Sequence, residues 1–78
     1  MEKQIAEFER TPRHAQRRAQ TALADSGVQD LRGLRVEVVD DSLIISGSVS
    51  SYYHKQLAQE AVRAVAVELA VVNSIQVR

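Results

Sequence analysis

The sequence predicts a single small α+β domain in the order αββαβ, a three-stranded sheet with two helices on one face. Three observations in the 78-residue chain predict it. Residues 11–27 carry apolar side chains at helical spacing, between a capping start and a glycine stop. Residues 34–49 hold two runs of period-two alternation joined by an acidic turn. At "SGSVSS", residues 46–51, the period changes back to that of a helix, and a last alternating run closes the chain.

The first helix is read from "TPRHAQRRAQTALADSG". Thr11 suits the N-cap, Pro12 the first helical position and Gly27 a left-handed stop. With about 3.6 residues per turn, Ala15, Ala19, Ala22, Leu23 and Ser26 share one face. Arg10, Arg13 and Arg17 share the other, with His14 at its flank and Arg18 at its edge. The domain is drawn as residues 11–78, and residues 1–10 form an N-terminal extension, helical or frayed.

In the hairpin, Leu34, Val36 and Val38 alternate with Arg35 and Glu37. After the turn Asp40-Asp41-Ser42, the residues Leu43, Ile45, Gly47 and Val49 share one parity. Gly47 lets a helix press close to the strand. The second helix begins after Ser50 or Ser51, either a competent N-cap. Its inner face is expected to hold Tyr53, Leu57, Ala61, Ala64 and Val65, and its outer face Tyr52, Lys55, Gln59 and Arg63. A final strand near residues 70–77 places Val71, Ile75 and Val77 on one parity, with Asn73 among them. A right-handed crossover makes the second and third strands parallel; the strand order stays open. The expected core is Leu23, Val36, Val38, Ile45, Val49, Leu57, Ala61, Val65, Ile75 and Val77.

Composition narrows the function classes. Ten basic and ten acidic side chains cancel, whereas a dedicated nucleic-acid binder carries a clear basic excess. The G-x-x-G clamp of KH domains and the strand aromatics of RNA-recognition motifs are both missing. There is no cysteine to form a disulfide or a thiolate metal site. The charged start "MEKQIAEFER" is not a signal peptide. The run "VAVELAVV" falls well short of the ~20 apolar residues of a membrane span. The expectation is a soluble, cytoplasmic domain as the chain stands, or a periplasmic or membrane-associated one within a longer exported protein.

Taken in order, these segments resemble a known family. "GLRVEVVDDSLIISGSV", "KQLAQEAVRAV" and "VVNSIQV" are similar to the BON domain of bacterial osmotic-stress and envelope proteins. The resemblance rests on Val36 and Val38, the acidic turn Asp40-Asp41, Ile45-Ser46-Gly47-Ser48-Val49, Ala58 with Ala61, and Val71, Asn73, Ile75 and Val77. It covers about residues 20–78, with Gly47 and Asn73 as structural motif positions. This chain has Val67-Glu68 where the family commonly has Gly-Val between helix and strand. The resemblance implies a non-enzymatic module, without a cofactor, that binds anionic phospholipid or envelope surfaces in stress responses, or mediates protein contacts.

The residues give each of these expectations a location. Ser46, Ser48, Ser50 and Ser51 near His54 do not form the elbow of a serine hydrolase, so they are expected to cap the helix and no catalytic residue is assigned. Two isolated histidines make no zinc site. Candidate lipid-phosphate contacts are Arg10, Arg13, Arg17 and Arg18. Val39, Ile44 and Val72 mark the alternative, an open sheet face that binds a protein partner or a second copy.

Overall fold

The computed structural model describes residues 12–78. It contains helices α1 (Pro12–Ala24), α2 (Gln29–Arg32) and α3 (Tyr52–Val65) and strands β1 (Arg35–Val39), β2 (Ser42–Val49) and β3 (Ala70–Val77). The sheet order is β1-β2-β3, with β1 antiparallel and β3 parallel to the central β2. The expected α+β architecture is present, with one added element. α2 has only four residues, too few to display a helical period, yet it buries Leu31 completely. The proposed N-cap Thr11 lies outside the described residues.

Strand parity follows the alternation. Val36, Leu43, Ile45, Val49 and Ile75 are buried under the helices, and Val38, Val71 and Val77 are packed against them half-buried. The hairpin turn is the two residues Asp40-Asp41, since Ser42 already pairs with Val39. Asp40 takes φ 55 there, a left-handed conformation that aspartate tolerates better than most residues.

Ala15, Ala19 and Leu23 of α1 are fully buried, while Ala22 is half-buried and Ser26 exposed. Alanine at the closest approach lets α1 lie near β1, and two glutamines then reach the strand's outer edge. Gln20 Nε2 donates to Leu34 O at 2.9 Å, and Gln20 Oε1 accepts from Val36 N–H at 3.2 Å. Gln16 Nε2 donates to Val36 O at 3.0 Å. These amides replace the neighbouring strand that an edge otherwise lacks.

Gly47 sits at φ +126, a conformation that side chains rarely adopt, and a Cβ there would lie 2.8 Å from Leu34 Cδ2. Close approach is thus its role. The neighbour is the segment leading from α2 into β1, not the crossover helix.

The inner face of α3 differs from the expected one. Ala58 and Val62 are fully buried and the C-cap Ala66 follows them, whereas Leu57, Ala61 and Val65 are half-buried and Ala64 is exposed. Tyr53, expected inward, is 69% exposed. The helix is rotated by about one residue, about 100°, because it is wedged between α1 and the sheet. Small side chains suit the closest contact, and a tyrosine keeps its hydroxyl in water.

Leu31→Ala is therefore expected to cost about 2–5 kcal/mol. Leu57→Ala should cost about 1–2 kcal/mol, because only part of its side chain is removed from water. Urea unfolding of the two variants checks the order, and equal losses would contradict this placement of α3.

Candidate functional site

The strand-to-helix corner collects the polar residues noted in the sequence. Ser51 is the N-cap of α3, with φ −153 and its Oγ accepting from His54 N–H at 3.2 Å. Ser50 turns the other way. Its backbone N–H and its hydroxyl donate to Asp30 Oδ2 at 2.8 and 2.6 Å. His54 Nδ1 reaches the same oxygen at 2.8 Å. The Asp30 carboxyl is lowered from 3.8 to about 2, first by the Ser50 hydroxyl, then by the Ser50 backbone N–H and by His54, against a smaller opposing effect of burial. An ionised carboxylate only accepts hydrogen bonds, so Nδ1 carries the proton between the two groups.

A serine, a histidine and a carboxylate thus meet, as sequence reasoning did not foresee. His54 has no acid on its own helix face, and its partner lies in the short α2 that periodicity does not reveal. The wiring is not that of an acyl-transfer triad. There the imidazole stands between hydroxyl and carboxylate; here the Ser50 hydroxyl bonds the carboxylate directly. The geometry ties α2 to the start of α3.

The outer face of α1 presents the basic residues. Arg13 and Arg17 are exposed, and the helix contains no acidic residue. Neither arginine forms an ion pair among the described residues. Arg10 lies outside the described residues. Arg18 has turned toward α3, where its Nε donates to Val65 O at 2.8 Å and its guanidinium pairs with Glu68. Between α1 and α3 lies a shallow groove of about 330 Å³, lined by Arg17, Arg18, Thr21, Ala22 and Val65. It combines an apolar floor with a cationic rim.

The uncovered sheet face carries a small apolar row. Ile44 pairs directly with Val72 and lies diagonal to Val39. Val39 is 47% and Val72 44% exposed, and Ile44 is half-buried. Glu37, Ser42, Ser46 and Ser74 surround them. Asn73 lies on the covered face. Its Nδ2 donates to Lys55 O and Gln59 Oε1, both at 3.0 Å, and its Oδ1 accepts from Ile75 N–H at 3.1 Å.

The Asp30 tie fixes a pH dependence. The carboxyl is depressed in the folded chain, so the unfolded state binds more protons between about pH 4 and 2 and stability falls through that window. Asp30→Asn should lower stability near neutral pH, and its deficit relative to wild type should shrink as pH drops toward 2. Urea midpoints across a pH series test this; a deficit that stays constant with pH would contradict it.

Comparison with known proteins adds one match. The family model of the BON domain matches residues 13–78, from α1 through β3. No curated protein matches the chain. The Val67-Glu68 departure has a local account: Val67 is 77% exposed, and Glu68 pairs with Arg18 across the helical layer. Because that match spans most of the chain, the chain belongs to the BON domain family.

Proposed function

We propose that this domain is a non-enzymatic binding module that attaches weakly to anionic phospholipid surfaces through α1. The family supports the class, since phospholipid binding is the activity associated with BON domains. One observation of this chain carries the location: Arg13 and Arg17 stand exposed on a helix with no acid, beside an apolar groove. Their guanidinium forks suit lipid phosphates, and Ala22 and Val65 offer a floor to the apolar part of a lipid. Arg10, the third candidate on that side in the sequence, lies outside the described residues. Arg18 acts as a tie between α1 and α3, so the phosphate contacts fall to the others. Among the described residues no helix is long and apolar enough to cross a membrane.

A second reading, protein binding through the open sheet face, is supported by the exposed row of Val39, Ile44 and Val72. The row is short and framed by polar residues, which favours a weak contact.

Each basic residue near an anionic bilayer contributes about 1 kcal/mol. The double variant Arg13→Gln/Arg17→Gln should therefore weaken partitioning by about 30-fold. Vesicle co-sedimentation with phosphatidylglycerol and with phosphatidylcholine, at low and physiological salt, tests this. Binding is expected on the anionic vesicles at low salt and should fall as salt rises. Equal binding to both vesicles, indifferent to salt, would overturn the proposal.

A further inference from the structure

The two edges of the sheet differ. On β1, the outward groups Leu34 O, Val36 N–H and Val36 O are bonded by Gln16 and Gln20. On β3, the bonds from Ala70 N–H to Asp41 O and from Arg78 N–H to Val49 O show that even-numbered residues bond toward β2. The backbone groups of Val71, Asn73, Ile75 and Val77 therefore point away from the sheet. Among the described residues, the side chain that covers any of them is Asn73, through its bond from Ile75 N–H. The strand "AVVNSIQV" also contains no charged residue and no proline, the usual protections of an edge. Alongside it, between α3 and the strand, runs a cavity of about 430 Å³ lined in part by Arg63, Ala66, Leu69 and Val71.

We infer that this edge pairs with the same edge of a second copy, β3 antiparallel to β3 about a two-fold axis at Ser74. Charge, closure and register favour a second copy. An uncharged strand meets itself without like-charge repulsion, and the zero formal net charge of the chain adds none at longer range. Because Gln16 and Gln20 already bond the Leu34 and Val36 groups of the β1 edge, that edge is blocked along most of its length, and pairing through β3 closes at two copies instead of growing into a fibre. The register centred on Ser74 uses the whole strand. Val71 stands opposite Val77 and Asn73 opposite Ile75, all with outward-facing backbone groups. The Val77 side chain of the second copy then lies beside Val71, at the mouth of the cavity. Ile75 N–H exchanges its own Asn73 side chain for the main-chain carbonyl of the other copy's Asn73.

Sedimentation from low micromolar to millimolar concentration should show a reversible monomer–dimer equilibrium. Ser74 is exposed and faces its own copy on the axis. Ser74→Lys alone and Ser74→Glu alone should each weaken association about fivefold or more, and mixing the two should restore it. Val77→Pro removes an outward N–H and no bond to β2, so it should abolish association while the monomer stays folded by circular dichroism. Ile44→Lys, on the sheet face, should leave association intact. A wild type that remains monomeric throughout overturns the inference. So does a dimer that survives Val77→Pro, or one that Ile44→Lys dissolves.

Discussion

The surface of this domain follows from how α1 is moored to the edge of β1. Ala15 and Ala19 allow the helix to approach, and the amides of Gln16 and Gln20 then take the place of a fourth strand. Each such hydrogen bond adds only about 0.5–1.5 kcal/mol net, but leaving part-buried backbone groups without partners costs about 1–3 kcal/mol. That asymmetry fixes the rotation of α1. Once the glutamines face β1, Arg18 must face α3 and Arg13 and Arg17 must face water. The same mooring covers one edge of the sheet and leaves the other open. The exposed arginines proposed to meet lipid and the edge inferred to pair are thus both shaped by one docking.

At the far end of the core, a second tie holds the chain. Leu31 anchors α2 in the interior, and Asp30 on the same short helix gathers the Ser50 and His54 donors at the start of α3. The segment that leaves α2 presses on Gly47, which has no side chain to obstruct it. The change of period at "SGSVSS" is therefore a junction where three elements meet. Its polar residues are occupied in joining them.

Much of this was legible in the sequence because strands print their burial directly. Val36, Val49 and Ile75 alternate with polar neighbours, and all three are buried. The parallel crossover and a serine cap at Ser50 or Ser51 follow from equally local rules, and so does a close approach at Gly47, although its neighbour is the segment before β1 and not a helix. The face of α3 was not legible in the same way. Tyr53 and Leu57 have far more apolar area than Ala58, yet contact at close range selects the smaller residue. Asp30 was hidden because its partners lie 20 and 24 residues away and α2 is too short to show a period. Arg18 looked like the edge of a basic face, and its pairing with Glu68 depends on where the turn after α3 lies beside α1. Contacts within one element can be read from spacing; contacts between elements need the docking.

Native-state hydrogen exchange at Val36 tests that docking most directly. The Val36 amide points away from the sheet, and its acceptor is the side chain of Gln20. It should exchange as slowly as amides bonded within the sheet, and Gln20→Leu should make it fast while the β1–β2 amides of Glu37 and Val39 keep their protection. A Val36 amide that exchanges in the wild type like an open edge, or that stays protected without Gln20, would contradict the mooring on which the α1 surface depends.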